Sequence, residues 1–291
     1  MELAKQLVLD LSNPDVRENA LRELSKKTEL FEDLGPLLWN SFGTIAALLQ
    51  EIVSIYPVLS TPNLTLEQSD RVCNALALLQ CVASHPDTRV LFLNAQILEY
   101  VFPFIKATTE SRPFNNLRLN SLGVVVALVK VDDTEVVRFL LSTDIITLCL
   151  GAMETGSIEY KTVATIIVQK VLSNDFGLDY ICTTADRSFL VGRGLEKMVA
   201  ALTDAAARDQ PTSRLLKQII LCYLRLSDNL RACKALRSCL PDMLRDIALR
   251  MHSCLREDPA TRRWLTQLLI KVQGPRVAFQ AGGGYELMMV N

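Results

Sequence analysis

Residues 74–105 read NALALLQCVASHPDTRVLFLNAQILEYVFPFI, a long apolar segment followed by a polar break at His85-Pro86-Asp87 and two shorter apolar segments. The same order of segments recurs three times, in LRLNSLGVVVALVKVDDTEVVRFLLSTDIITLCLGAM (117–153), KTVATIIVQKVLSNDFGLDYICTTADRSFLVGRGLEKMV (161–199) and RLLKQIILCYLRLSDNLRACKALRSCLPDMLRDIALRM (214–251). The corresponding breaks fall at Asp132-Asp133, Asn174-Asp175 and Asp228-Asn229. Self-similarity at a regular spacing is the signature of a repeat protein.

The spacing of these breaks indicates the kind of repeat. Their last residues, 87, 133, 175 and 229, lie 46, 42 and 54 positions apart, and armadillo and HEAT arrays repeat about every 40–47 residues. An insertion, TDAAARDQPTS (203–213), accounts for the longest interval. Asp and Asn are typical N-caps, and helices that are apolar nearly all round must lie between neighbours. We therefore predict an all-α, right-handed armadillo-repeat solenoid of about six repeats.

The flanks of the four copies complete the predicted array. Pro14 follows a polar pair and predicts the start of an N-terminal helix. Residues 58–65 (VLSTPNLT) predict a loop. Asp258-Pro259 predict the start of a terminal helix whose outer face is polar and solvent-exposed. Periodicity ends beyond that helix. We therefore predict one repeat domain over 1–273 and a disordered tail over 274–291.

The composition suits packed helices. Hydrophobic residues make up 49% of the chain, aromatic residues 6% and charged residues 22%, so the chain should fold around a continuous core. The formal net charge of −1 favours neither strong non-specific binding of nucleic acid nor attraction to a membrane surface. No apolar run reaches about 18 residues without a charged or strongly polar group, so a membrane span is not expected.

The eight cysteines indicate a reducing compartment. None forms a C-x-x-C pair, and most lie among apolar residues in predicted helices. The first ten residues, MELAKQLVLD, lack the pattern of a secretory signal. The simplest interpretation is buried, reduced thiols in the cytosol or nucleus.

The sequence offers little for catalysis or metal binding. Its two histidines, His85 and His252, are far apart, and His252 would face a different side of its helix from Cys254. Zinc sites need clustered ligands, and no phosphate-binding, nucleophile-elbow or zinc-protease motif occurs. We therefore expect no catalytic residue, no cofactor and no metal.

Basic residues near the starts of successive long helices form a candidate stripe. In a solenoid such positions can align along the concave face. Two interpretations stay open, a solvated charged rim or a stripe that binds nucleic acid with an affinity that falls with salt. The residues are Arg112, Arg118, Lys161, Arg214 and Lys217.

Six stretches resemble the "required for cell differentiation" family, the armadillo-repeat (Caf-forty-like) subunit of the Ccr–Not mRNA deadenylase complex. The resemblance covers about residues 3 to 272, and the third stretch together with SFGTIAALLQEIV is the most specific part. The stretches are RENALRELSKK (17–27), WNSFGTIAALLQEIVSIYP (39–57), RVCNALALLQCVASHPDTR (71–89), RPFNNLRLNSLGVVVALVK (112–130), KTVATIIVQKVL (161–172) and LLKQIILCYLRLSDNLRACKALRSCLP (215–241).

This resemblance implies a six-repeat, non-catalytic adaptor that acts in mRNA deadenylation, decay and translational repression. It implies docking on the large Not scaffold subunit through Asn40, Phe42, Ala46 and Val53. The last three are four and seven residues apart, so they would share one helical face, and from spacing alone that face could be interface or core. The family more often has histidine at Asn40.

The resemblance also implies two sites for adaptor proteins. A concave groove for short amphipathic helices maps onto Asn116, Gly123 and Val163, and Gly123 fits either close approach of a partner or tight inter-repeat packing. A pocket for adaptor tryptophans maps onto Arg187, Arg231 and Ala235. At Ala185 and Leu230 this chain departs from animal members, which have tyrosine and proline there, so we expect a degenerate pocket without its aromatic wall. In the groove, Asn116 replaces a tyrosine.

Further expectations concern location and partners. The resemblance implies a cytoplasmic location, including P-bodies, and a nuclear one, with no membrane partner. The alternative function is a nucleic-acid-binding module or transcriptional cofactor that acts through the concave face. Weak nucleic-acid binding and a homodimer of the isolated chain both stay open.

Overall fold

The computed structural model describes residues 2–206, 213–249 and 258–273, and within these ranges it contains helices and turns but no strand. The helices are α1 (Glu2–Asp10), α2 (Arg17–Ser25), α3 (Leu34–Asn40), α4 (Thr44–Ser54), α5 (Leu66–Ser84), α6 (Pro86–Asn94), α7 (Phe102–Lys106), α8 (Arg112–Val129), α9 (Thr134–Leu141), α10 (Ile145–Glu154), α11 (Ile158–Ser173), α12 (Asp175–Thr183), α13 (Ala185–Ala206), α14 (Ser213–Leu226), α15 (Leu230–Cys239), α16 (Asp242–Leu249) and α17 (Pro259–Gln273). Short 3₁₀ turns occupy Thr28–Leu30, Tyr56–Val58 and Ile97–Tyr100.

The last helix of each repeat recurs at a regular interval. Helices α2, α5, α8, α11, α14 and α17 begin 49, 46, 46, 55 and 46 residues apart. The 55-residue interval contains the predicted insertion, whose first residues extend α13 as far as Ala206. The six repeats predicted from sequence are therefore present as six helical groups along the chain.

Side chains at the polar breaks begin the helices that follow them. Asp133 Oδ1 accepts from the backbone N–H of Glu135 at 2.9 Å, and Asn229 Oδ1 accepts from two backbone N–H groups at the start of α15. Asn174 caps α12 in the same way, and His85 Nδ1 accepts from Asp87 N–H. The predicted Asp and Asn caps are confirmed at three breaks, where each satisfies a backbone donor that the first helical turn leaves unpaired. At the first break the cap is His85, and Asp87 lies inside α6.

The N-terminal start signal is misplaced by three residues. Pro14 lies in a turn, where Asn13 Oδ1 accepts from Asp15 N–H at 3.1 Å. The carbonyl of Asn13 accepts from Val16 and Arg17, and α2 begins at Arg17. Asn13 therefore caps a turn that leads into the helix. At the other end, Asp258 caps α17 as predicted, through the backbone N–H groups of Ala260 and Thr261.

The chain divides into two compact units, residues 1–177 (the N-terminal unit) and 178–291 (the C-terminal unit). In the N-terminal unit α8 packs between α5 and α11. In the C-terminal unit α14 packs on α13 and α17, with Tyr223 and Leu268 fully buried. The single domain over 1–273 stays a prediction, and the predicted tail (274–291), His252 and Cys254 lie outside the described residues.

No single described helix has both the length and the hydropathy of a membrane span. Two sharply bent helix pairs reach that threshold jointly, by length and composition only. They are Leu34–Asn40 with Thr44–Val58 and Thr134–Leu141 with Ile145–Glu154.

Candidate protein-binding surfaces

Helix α4 presents an apolar face to solvent. Its core side is formed by Ala47, Leu48 and Ile52, which are buried. On the opposite side Ala46 is exposed, and Ile45, Leu49 and Val53 are only half-buried. We name the exposed and half-buried apolar side chains of α4, together with Phe42, the α4 face. Its members are Phe42, Ile45, Ala46, Leu49 and Val53.

Two of the predicted scaffold residues lie outside α4. Asn40 is exposed at the end of α3, and Phe42 lies in the turn between α3 and α4, where Gly43 adopts a left-handed φ of 76°. The prediction that Phe42 shares a helical face by its spacing is therefore wrong. Its side chain is 100% exposed at the N-terminal end of α4, so it adjoins the face without belonging to the helix.

The exposure of two of these residues argues against the core interpretation, and the interface stays a prediction. Phe42 and Ala46 are exposed, so they do not form a core stripe. The buried residues of α4 lie about a third of a turn around the helix from these exposed residues, because successive residues of a helix are rotated by about 100°. Sequence reasoning missed Ile45 and Leu49, although their spacing with Val53 (i, i+4, i+8) was visible.

A buried ionic cluster fixes the position of α4. Glu51, on its core side, accepts from Arg17 Nη1 at 3.1 Å and from Arg71 Nη2 at 2.9 Å, with Arg71 Nε as a further donor. Burial alone would raise the pKa of the Glu51 carboxyl, but the hydrogen bonds from Arg71 and Arg17 outweigh it and hold that pKa below its usual value. Arg17 also donates to Leu11 O and Gln50 Oε1. The cluster therefore ties α4 to α2 and α5.

The predicted adaptor groove lies on the last helices of the third and fourth repeats. Asn116 and Gly123 are half-buried on α8, and Val163 is half-buried on the neighbouring α11. A Cβ at Gly123 would lie 2.7 Å from Gln80 Nε2, and Gln80 itself donates to Asn120 O. The contact is with the end of a flexible side chain of α5, so the close approach of a partner and inter-repeat packing both stay open for Gly123.

The structure removes Arg118 from the candidate nucleic-acid stripe. Arg118 is only 7% exposed, and its guanidinium donates to Ala107 O at 2.7 Å and to Asn115 Oδ1. It also lies over the ring of Tyr160, 5.8 Å from the centroid. A guanidinium that is buried and hydrogen-bonded within the protein cannot reach a phosphate group of a nucleic acid. Including it was wrong, since spacing cannot reveal a carbonyl acceptor eleven residues upstream.

The other stripe residues are divided between the two units. Arg112 is exposed and Lys161 half-buried in the N-terminal unit. In the C-terminal unit Arg214 is exposed, whereas Lys217 lies 3.8 Å from Asp258 and over the ring of Trp264.

An apolar cleft of about 430 Å³ lies between α13 and α15 in the C-terminal unit. Three of the predicted tryptophan-pocket residues line it, Ala185, Arg231 and Ala235. Phe189, which is 64% exposed, supplies an aromatic wall that sequence reasoning missed. The cleft therefore has an aromatic side chain although position 185 is alanine.

The other two predicted pocket residues, Leu230 and Arg187, do not line this cleft. Leu230 is 81% exposed and lines an adjoining depression together with Arg231 and Asp179. Arg187 stacks on the ring of Tyr180, 3.9 Å from its centroid, and donates to Tyr180 O. The role of Tyr180 could not be predicted from sequence, because its contact with Arg187 joins two different helices, α12 and α13.

The two units carry opposite net charges. Residues 1–177 contain 14 Lys and Arg against 21 Asp and Glu, whereas residues 178–291 contain 17 against 11. Net charges of −7 and +6 are therefore hidden in the overall value of −1. In the described part of the C-terminal unit several cations take part in no ion pair, including Arg231, Lys234 and Arg237.

No grouping of three or more potential metal ligands occurs within the described ranges. Seven cysteines are free there, and burial raises the thiol pKa of Cys73 to about 12 and of Cys81 to about 11. Such thiols are weak nucleophiles at neutral pH.

A family model described as "Cell differentiation family, Rcd1-like" matches residues 7–272. The chain belongs to this Rcd1-like family. Cell differentiation protein rcd1 of Schizosaccharomyces pombe is 52% identical over 278 residues, which cover 96% of each protein. Protein CAF40 of Saccharomyces cerevisiae is 51% identical over 254 residues, 87% of this chain and 66% of that protein. The family predicted from sequence is confirmed.

Solved structures similar to this Rcd1-like chain are designed armadillo repeat proteins. One, in complex with the peptide (KR)4, has a TM-score of 0.63 at 14% identity and covers 92% of this chain and 98% of its own. Another, designed for modular peptide recognition, has a TM-score of 0.64 at 15% identity, with coverage of 92% and 98%. At this identity they show the fold alone, and they confirm the all-α armadillo-repeat prediction.

Proposed function

We propose that this chain is a non-catalytic adaptor subunit of the Ccr–Not complex that docks on the Not scaffold and recruits adaptor proteins for mRNA deadenylation, decay and translational repression. The observation that carries the proposal is the α4 face. Exposed apolar surface on a soluble chain marks a protein contact, and the family resemblance assigns the scaffold to the same residues. We further propose a cytoplasmic and nuclear location, which is where mRNA decay and transcription take place.

The test introduces a charge into the α4 face. Ala46→Glu should reduce the affinity of the full-length chain for the purified Not scaffold subunit by at least about 100-fold, because a carboxylate would be buried without a partner. Ala235→Glu is the matched control, since Ala235 is also an exposed helical alanine but lies in the C-terminal unit. Wild-type affinity in Ala46→Glu would contradict the proposal.

A second part of the proposal places adaptor helices on the groove of α8 and α11. Asn116, Gly123 and Val163 are half-exposed there, as a helix-in-groove contact requires. Val163→Glu should remove RNA-binding adaptors from a pull-down in native extract while the Not scaffold stays bound. Loss of both together would mean that the groove is not a separate site.

The α13–α15 cleft is the third proposed contact. Phe189 and Arg231 line this apolar cleft, and an aromatic side chain from an adaptor would gain about 0.5–1.5 kcal/mol by stacking on Phe189. Phe189→Ala should weaken a tryptophan-containing adaptor peptide about fivefold in a fluorescence titration. An unchanged titration would leave the cleft without an aromatic ligand.

The second candidate function is binding of nucleic acid, and the charge of the C-terminal unit favours it. With 17 basic against 11 acidic residues, this unit attracts phosphate although the whole chain does not. Affinity for a single-stranded oligonucleotide should fall steeply between 50 and 200 mM salt. No binding at low salt would exclude this function.

A further inference from the structure

A polar pocket of about 450 Å³ lies between α2, α4 and α5 in the N-terminal unit. It is lined by the ionic cluster that fixes α4 and by further polar side chains around it. None of the lining residues belongs to the α4 face. They are Arg17, Gln50, Glu51, Ser54, Ile55, Gln68, Arg71 and Val72.

The ionic cluster in this pocket has more positive than negative charge. Glu51 is its one carboxylate, and it already accepts hydrogen bonds from both Arg17 and Arg71. The side chain of Arg17 is only 11% exposed, and Arg71 has a second ion-pair partner only in the half-exposed Glu18, 3.5 Å away. Two arginines against one glutamate give the lining a net charge of +1, in a unit that carries seven more acidic than basic residues.

The same side chains keep hydrogen-bond donors free. Arg17 donates through Nε and Nη1, and its Nη2 has no acceptor among the residues that the structure describes. The side-chain oxygen of Gln50 accepts from Arg17, and that of Gln68 accepts from the Thr65 N–H. The amide NH₂ groups of both glutamines therefore stay available, and a ligand of this pocket has to supply acceptors.

The start of α5 adds to this preference. Gln68 is the third residue of the helix and forms a capping box with Thr65, which fixes its side chain at the mouth of the first turn. The N-terminal end of a helix carries partial positive charge, so it favours an anion beside it. The helix dipole and the excess guanidinium group thus act in the same direction.

We propose that this pocket binds the carboxylate group of a ligand through Arg17, Gln50 and Gln68. The two oxygens of a planar carboxylate accept from a guanidinium and from amide groups at once, and hydrogen bonds to ionised groups are the stronger ones. Its single negative charge balances the lining, whereas the second charge of a phosphate would face Glu51 and Glu18 without compensation. The site is separate from the α4 face and does not depend on the proposed function.

The test titrates the full-length chain with small probes and follows the Nε–H resonances of Arg17 and Arg71 by NMR. N-acetyl-aspartate N-methylamide offers a side-chain carboxylate, and N-acetyl-alanine offers a chain-terminal one. At least one of them should shift both resonances saturably with a Kd of about 1–10 mM. The tighter of the two identifies the ligand as an acidic side chain or a chain terminus.

Two further probes separate a carboxylate from other acceptors. N-acetyl-asparagine N-methylamide is the neutral isostere and should bind at least about tenfold more weakly, because it lacks the charge. Inorganic phosphate should also bind more weakly than the better carboxylate. Equal or tighter binding of either probe, or no saturable shift with both carboxylates, would overturn the proposal.

Glutamate variants test whether the binding occurs in this pocket. Gln50→Glu and Gln68→Glu keep the hydrogen bonds that the two glutamines accept but place a like charge beside the ligand. Each should weaken the better carboxylate probe at least about tenfold. Gln267→Glu is the matched control, an exposed glutamine of α17 in the C-terminal unit, and it should stay within about twofold. Circular dichroism establishes that each variant is folded. Wild-type binding by both pocket variants, or an equal loss in the control, would show that the carboxylate binds elsewhere and overturn the site.

Discussion

The N-terminal and C-terminal units share one repeat plan but have surfaces of opposite character. The N-terminal unit is acidic, and its buried cluster of Glu51, Arg17 and Arg71 fixes a helix with an exposed apolar face. The C-terminal unit is basic, and two exposed cations, Arg193 and Arg231, line an open apolar cleft. One armadillo chain can therefore carry surfaces of opposite charge in different repeats while its overall net charge stays near zero.

The largest expected effect tests the basic surface of the C-terminal unit. The triple variant Arg231→Glu, Lys234→Glu and Arg237→Glu should weaken binding of the single-stranded oligonucleotide about 100-fold at 50 mM salt and flatten the salt dependence, since each lost phosphate contact lowers the slope by about 0.7. The matched N-terminal variant, Arg112→Glu with Lys161→Glu, should change the affinity by less than about threefold. Fluorescence anisotropy measures both. Equal losses would mean that the two units do not differ in this respect.

A smaller effect concerns stability in the N-terminal unit. Glu51→Gln should lower the free energy of unfolding by about 2 kcal/mol at pH 7, because it leaves Arg17 without its buried counter-charge and Arg71 with only Glu18, 3.5 Å away. This loss is smaller than for a fully buried ion pair because Arg71 is partly exposed to solvent. Denaturant titration followed by circular dichroism measures it. A change below about 0.5 kcal/mol would show that the cluster does not fix α4.

The pH dependence of the same variant has a definite sign. The folded-state pKa of Glu51 lies below its unfolded value, so its contribution is present above the unfolded pKa and is lost as pH falls through the folded pKa. The difference between wild type and Glu51→Gln should therefore shrink in acid. A difference that grows as the pH falls would contradict this assignment.

The smallest effect is expected in the C-terminal unit. Asp228 pairs with Lys271 and with Arg225 at its surface, and hydrogen bonds from both outweigh burial and lower the pKa of its carboxyl. Asp228→Asn should lower the free energy of unfolding by about 0.5 kcal/mol, as for exposed ion pairs. The same denaturant titration compares it with Glu51→Gln. A cost equal to that of Glu51→Gln would remove the energetic contrast between the units.

The repeat plan could be predicted from sequence because it depends on local signals. Asp133, Asn174, Asn229 and Asp258 act through the backbone a few residues ahead, so their positions in the sequence reveal the helix starts. The helix start predicted at Pro14 is three residues too early, because Asn13 caps a turn that precedes α2.

The candidate sites were harder to predict, because they depend on contacts between distant residues. The sequence suggests that Arg118 is a surface cation. Its guanidinium is instead buried and donates to the carbonyl of Ala107, eleven residues earlier. Phe42 reads as helical by spacing, yet the left-handed Gly43 separates it from α4. The charge contrast needs the boundary between the units, which the total of −1 conceals.

The most direct test of the account is a pull-down of the full-length chain from native extract, with partners quantified by mass spectrometry in Ala46→Glu and Ala235→Glu. We expect Ala46→Glu to lose the Not scaffold and the proteins that the scaffold brings, whereas Ala235→Glu should keep the scaffold and lose only partners of the α13–α15 cleft. Loss of the same partners in both variants, or of the scaffold in neither, would contradict a division of binding between the two units.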